Sequence, residues 1–281
     1  AAKADLETLQ ELDLELSVVE QPQRRLALQG RGGWAEQLVA DATLVLEQAF
    51  PWQWLYPQDI GPVVVQQLTL DAQLAGESYQ AELKGQVSAL ADQVLNLSLS
   101  LDGTPERVDI APLNLETAAG SAQGEVALNF ADGIAWAVEL LLDQLDPGVF
   151  VAELPGSLSG PLRSEGQLRD NHLQASADWA LEGTLRAQPL ALSGQLSGQD
   201  QRWTVNDLLL RQGDNRISGN AEWGPQVQAA LDIQMPRLNT LWPGLRGNLQ
   251  GQLQAAGPQD APVVELELTG QRLAYDELSI P

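Results

Sequence analysis

Apolar and polar residues alternate along most of this chain. Residues 94–101 read Val-Leu-Asn-Leu-Ser-Leu-Ser-Leu, and 11–16 read Glu-Leu-Asp-Leu-Glu-Leu. The same period carries Ile134, Trp136, Val138, Leu140 and Leu142, and later Val227, Ala229, Leu231, Ile233 and Met235. Successive side chains of a strand point to opposite faces, so a period of two predicts sheet with one apolar and one polar face. Strands are expected around Leu26, Leu44, Val63, Leu68, Leu83, Leu95, Ile110, Leu115, Val126, Val138, Leu158, Leu173, Leu181, Leu192, Trp203, Leu208, Ile217, Leu231, Leu249, Leu266 and Leu278. Their spacing of roughly 8–12 residues is that of all-β chains. Asp102-Gly103, Asp132-Gly133 and Gly213-Asp214-Asn215 are tight-turn sequences. Ala4 to Glu11 is expected to open as a short helix, and the rest shows little helical period.

A longer period lies over this meander. Pro51, Pro147 and Pro243 recur every 96 residues, each after an alternating run, and Gly30, Gly124 and Gly219 keep nearly the same spacing. The phrase Pro155-Gly156 with Leu158, Gly160 and Leu162 returns as Pro243-Gly244 with Leu245, Gly247 and Leu249. A fixed period predicts stacked units that lack independent cores. No linker interrupts it, so residues 1–281 are expected to form one continuous array, with units near 1–57, 58–153 and 154–281. Gly160, Gly194, Gly219, Gly247, Gly251 and Gly270 fall inside strand patterns, where glycine lets a sheet bend. The fold predicted is an elongated, curled and twisted antiparallel β-sheet, a trough with an aliphatic concave face, a polar acidic convex face and few short helices.

Something must cover the apolar face: a second sheet, a helix, or another molecule. Hydrophobic residues are 44% of the chain, a folded composition. Aromatics are only 5%, with 3 Phe and 3 Tyr, fewer rings than usually fill the space between packed sheets. An aliphatic lining suits a fluid guest such as acyl chains; an ordinary β core is the competing reading. Trp34, Trp136, Trp179, Trp203 and Trp223 fall on alternating positions as lining or core, while Trp52, Trp54 and Trp242 sit in the proline-marked connections and are expected to wedge the trough's edge.

Charge narrows the partners. Asp and Glu number 38 against 15 Lys and Arg, a formal charge of −23. Such a surface repels phosphates, so nucleic acid and anionic bilayer surfaces are poor partners, and no nucleic acid is expected. No stretch reaches the roughly 20 apolar residues of a membrane span. The alternation is cut at both ends, which predicts an interior piece of a longer chain. Without cysteine there are no disulfides or thiolate metal sites. His172 reads as a solvated turn residue beside Asp170 and Asn171. The acid pairs Glu11/Asp13/Glu15 and Glu265/Glu267 have no calcium-loop context. Asp143 and Asp146 before Pro147 read as turn chemistry, and the sequon Asn96-Leu97-Ser98 falls mid-strand. Nothing assembles a nucleophile, a base and an oxyanion stabiliser, so no catalysis, cofactor or metal is expected.

Several phrases resemble the interior of the TamB family, long periplasmic members of the AsmA-like group in Gram-negative bacteria. They are Trp136 to Phe150 with Asp146-Pro147-Gly148, Glu153 to Gly160, Leu208 to Gly219 with Gly213-Asp214-Asn215, and Trp242-Pro243-Gly244-Leu245-Arg246-Gly247-Asn248-Leu249. The resemblance covers residues 60–281 well and the first 60 loosely. It lacks the family's N-terminal anchor and C-terminal domain, as an excised middle segment would. It implies a taco-like sheet in the periplasm, part of a bridge-like lipid transfer protein anchored in the inner membrane and spanning to the outer. The implied partners are phospholipids and, through other parts of the full chain, an outer-membrane TamA-like protein. The function expected is a passive phospholipid conduit; the alternative is a scaffold that assists outer-membrane barrel assembly through strand-edge pairing. The inward face is assigned to Leu95, Leu97, Leu99, Leu101, Val126, Leu128, Phe130, Ile134, Trp136, Val138, Leu140 and Leu142. The later repeat adds Val205, Leu208, Leu210, Ile217, Val227, Leu231, Ile233, Leu249, Leu266 and Leu268.

Overall fold

A computed structural model describes residues 2–4, 7–50, 64–88, 94–149, 151, 153–242, 244–275 and 278–279. They form two compact units, Ala1–Ala131 and Asp132–Pro281. Both are all-β, open, curled antiparallel sheets.

The first unit contains β1 (Ala2–Ala4), β2 (Thr8–Val18), β3 (Gln21–Gly33), β4 (Val39–Glu47), β5 (Val64–Ala75), β6 (Ser78–Ser88), β7 (Val94–Thr104), β8 (Arg107–Thr117) and β9 (Gly120–Asn129). Each strand pairs with the next in chain order. The second contains β10 (Ile134–Leu145), β11 (Gly156–Arg169), β12 (His172–Leu185), β13 (Gln188–Gln199), β14 (Arg202–Gln212), β15 (Asn215–Trp223), β16 (Gln226–Met235), β17 (Leu245–Pro258), β18 (Val263–Tyr275) and β19 (Leu278–Ser279). It is again a meander in chain order. Period-two alternation dictates this outcome, because a sheet alone puts every second side chain on a shared face. The helical residues among those described are two short 3₁₀ turns, Pro147–Val149 and Leu238–Thr240.

Two local expectations are corrected. The helix expected over 4–11 does not form: Ala4 ends β1, and Thr8 to Glu11 belong to β2, where Leu9 and Leu12 pair with Gly32 and Gly30. Sheet pairing outweighs the modest helical propensity of that stretch. Asp102-Gly103 is not a turn but the end of β7, and the chain reverses at 105–106. Gly103 has a cross-strand reason to be small, since the ring of Tyr79 lies where its Cβ would be.

The in-strand glycines do two jobs. Gly219 and Gly251 hold φ of +149° and +152°, and a Cβ there would strike the carbonyl oxygens of Ala230 and Glu267. Only glycine tolerates that approach, and the backbone bends there. Gly160 and Gly247 also hold positive φ, whereas Gly194 and Gly270 lie under the side chains of Trp179 and Leu273 instead. Register shifts at Leu142/Leu145, Ser193/Gln195, Val205/Leu208 and Arg246/Asn248 add local twist to the second unit.

Truly buried apolar side chains are few. Leu26, Leu46 and Phe50 form one cluster, packed by Val18, Leu44, Val65 and Leu68. In the second unit Leu190, Val227 and Leu238 are buried.

Candidate functional site

Cross-strand partners share a face, so the registers show how each apolar face is built. In the first unit Leu16, Leu26, Leu46, Leu68, Gly85, Leu97, Leu115 and Ala122 make one row across eight strands. Beside it run Leu14, Leu28, Leu44, Leu70, Leu83, Leu99, Leu113 and Gly124, and then a row ending in Leu101, Ile110 and Val126. In the second unit Leu140, Leu162, Trp179 and Gly194 make a row over β10 to β13. At the same level on β14 to β18 stand Leu208, Gly219, Leu231, Leu253 and Leu266. Ile217, Ile233, Gly251 and Leu268 form the adjacent row. The opposite faces carry the charge, as in Arg31 with Asp41, Arg163 with Glu139 and Arg25 between Glu15 and Glu47.

By strand parity and register, the residues assigned inward from the sequence, Phe130 apart, stand on the apolar face of their own unit. Leu95, Leu97, Leu99, Leu101, Val126 and Leu128 lie on β7 and β9, and Phe130 follows β9 at 43% exposure. Ile134, Trp136, Val138, Leu140 and Leu142 lie on β10; Val205, Leu208 and Leu210 on β14; Ile217 on β15; Val227, Leu231 and Ile233 on β16; Leu249 on β17; Leu266 and Leu268 on β18. Most are half-buried, Phe130, Ile134, Leu266 and Leu268 are exposed, and the alternate positions range from half-buried, as at Ser98, Ser100 and Leu209, to exposed. Among the described residues no second layer packs upon them. Sequence reading left out equivalent residues with the same alternation, notably Leu28, Leu44, Leu70 and Leu83 in the first unit and Leu181, Leu192 and Leu196 in the second. Trp34 lies past the end of β3 and is exposed, and Trp242 stands in the β16–β17 connection. Trp52 and Trp54 lie outside the described residues, as do Pro51 and Pro243.

Large rings on this face lie over glycines. Tyr79 faces Gly103, Trp136 faces Gly166, Trp179 faces Gly194, and Trp203 faces Gly198, each pair in direct register. In each pair a Cβ on the glycine would collide with the ring. The rings therefore lie along the sheet, and a glycine partner is what gives them room.

The two lips of the second unit differ. At one lip every turn is short: 170–171, 200–201, 224–225 and 259–262. The other carries the long connections 146–155 and 236–244 beside the two-residue turns 186–187 and 213–214. Asp146 Oδ1 accepts from the backbone N–H of Gly148 and of Gly156, which folds the first connection back on itself. The second is bolted down by a buried polar pair in register, Gln212 and Asn215. Gln212 Nε2 donates to the carbonyls of Leu185 and Thr240 at 3.1 and 3.0 Å. Asn215 Nδ2 donates to Arg237 O and Thr240 Oγ1, and its Oδ1 accepts from Arg237 N–H. Leu238 is buried beneath this strap. In the first unit Arg24 donates to Ala49 O and Phe50 seals Leu26 and Leu46 in a similar way.

A concavity of about 1280 Å³ lies on the second unit near its short-turn lip. Polar-face residues dominate its lining, including Glu165, Gln167, Gln174, Ser176, Ser197, Gln199 and Thr204, with Asn171, His172, Asp200 and Arg202 from the turns. His172 Nδ1 lies 3.1 Å from Asp200 Oδ2 in an exposed pair. Elsewhere Arg25 holds the Glu47 carboxyl below its usual range and Arg107 does the same to Asp109, in both cases mainly by side-chain hydrogen bonding. Among the described residues, no group of three or more His, Cys, Asp or Glu could hold a metal ion, and no helix is long and apolar enough to cross a membrane.

Comparison with known proteins agrees with this architecture. Residues 51–281 match the family model described as TamB, N-terminal domain. The Translocation and assembly module subunit TamB of Haemophilus influenzae is 30% identical over 229 residues, which cover 79% of this chain and 17% of that protein. This chain thus corresponds to about a sixth of that relative's length. No solved structure matches.

Proposed function

The chain belongs to the TamB family, and from that premise we propose that it is a periplasmic stretch of a passive phospholipid conduit between the inner and outer membranes. One observation carries the reading: an apolar face that runs in register from strand to strand within each unit and stays only half-buried, with no second layer packed over it among the described residues. Acyl chains lie along that face while headgroups stay in water. Each methylene kept from water is worth about 0.8 kcal/mol, so a sixteen-carbon chain faces roughly 12 kcal/mol in open solvent. A uniform aliphatic lining lowers that barrier without chemistry and without deep traps. The organising unit is a repeat of six strands: Gly30, Gly124 and Gly219 fall on β3, β9 and β15, and the long connections follow β4, β10 and β16.

The test is phospholipid transfer by the full-length protein carrying Leu128→Asp. Transfer should be lost, while the outward Asn96→Asp leaves it intact. Normal transfer by Leu128→Asp would refute the conduit.

A second reading follows from the relative's name: a role in a translocation and assembly module, with TamA, in barrel assembly through strand-edge pairing. In that case a proline within an edge strand disables the protein more than a charge in the groove does.

A further inference from the structure

We propose that phospholipids lie in the second unit with one fixed polarity, headgroups over the short-turn lip and acyl chains running from there toward the strapped lip. This rests on the conduit reading and adds a direction to it. Water must reach a headgroup, and the two lips differ in what they leave open. The strap over 236–242 buries Leu238, and its backbone groups are already engaged by Gln212 and Asn215. At the other lip the turns are short, and Ile134, Leu168 and Trp223 stand 48%, 40% and 53% exposed at the border of the apolar face.

That border carries indoles. Trp136, Trp203 and Trp223 occupy one level, joined through Gly166, Ala175 and Gly198. Indole combines an apolar body with a polar N–H and favours the boundary between hydrocarbon and headgroup. The N–H groups of Trp136 and Trp203 are satisfied by Ser164 Oγ and Asp200 O, which leaves the ring faces for hydrocarbon. Trp242 and Tyr275 stand at the strapped lip, one in the strap and one at the end of β18, and neither continues such a row.

Length also fits. From Trp136 to Leu142 on β10 is six residues, about 20 Å at 3.3 Å each. The hydrocarbon of one bilayer leaflet is about 15 Å deep, so a chain whose ester level sits at Trp136 ends before the strap.

Two synthetic phosphatidylethanolamines test this on the full-length protein, one with a diazirine beside the acyl carbonyl and one with it at the acyl terminus. After irradiation, insertion sites are mapped by mass spectrometry. The carbonyl-proximal label should be enriched several-fold on Trp136, Trp203 and Trp223, and the terminal label on Leu142, Leu192 and Ile233. Reversed enrichment, or the same distribution for both labels, overturns the fixed polarity while leaving the conduit intact. Absence of insertion by either label anywhere on the apolar face sinks the conduit reading itself, and the polarity with it.

Discussion

Leu46 and Leu99 are both leucines on the apolar face of the first unit, yet they have different surroundings. Leu46 is 4% exposed, sealed with Leu26 beneath Phe50. Leu99 sits between Leu83 and Leu113 on an open row and is only half-buried. The chain thus covers its own apolar surface at the strapped lip and leaves it uncovered along the lining. The first region holds the fold together, and the second is surface kept for something else.

The largest expected difference follows directly. Leu46→Ala should cost about 2–5 kcal/mol, a transfer term plus a cavity, whereas Leu99→Ala should cost about 1–2 kcal/mol, the transfer term of a partly buried side chain with no closed cavity left behind. Denaturant unfolding of the two variants checks this, and equal costs would erase the distinction. Next comes the bolt at the second unit's strap. Asn215→Ala leaves the part-buried Arg237 N–H without its acceptor and removes the two bonds that Asn215 donates, at about 1–3 kcal/mol. Hydrogen exchange should show the loss concentrated at 236–242. A smaller effect is expected at Gly194→Ala, where the new Cβ meets Trp179 Cζ2 at 2.7 Å. The ring must lift off the sheet, and tryptophan emission should shift measurably while the fold is retained.

The smallest effect is electrostatic. Glu47 and Asp109 have carboxyl pKa values lowered by their arginine partners. A depressed folded-state pKa contributes stability that is present above the unfolded carboxylate range of about 4 and lost as pH falls through the folded value. Arg25→Ala should therefore flatten the acid limb of the stability profile slightly and leave neutral pH nearly unchanged. Both pairs are exposed and screened by solvent, so a large change at neutral pH would contradict this ranking.

Much of the fold was legible because alternation is local information: residues 94–101 alone give a strand, its faces and its apolar side. The lining residues follow from the same parity, which is why Leu97 and Leu231 could be placed without coordinates. Long-range register is not local. Nothing near Gln212 or Asn215 announces that two amides in one row will close over residues 237–240 of the β16–β17 connection. The ring-over-glycine pairs were hidden for the same reason, and Gly103 in particular resembled a turn glycine because its partner Tyr79 is 24 residues away. The helix expected at Ala4 to Glu11 failed on the same ground, since what decides that segment is pairing with β1 and β3 rather than its own propensity.

The central claim is that the uncovered apolar face holds acyl chains. A photoreactive residue at Leu231, half-buried on that face, and another at Asp232, on the polar face beside Gln252, test it most directly in the full-length protein. The account predicts phospholipid adducts at position 231 and none above background at 232. Equal labelling of the two positions, or no lipid at 231, would contradict it.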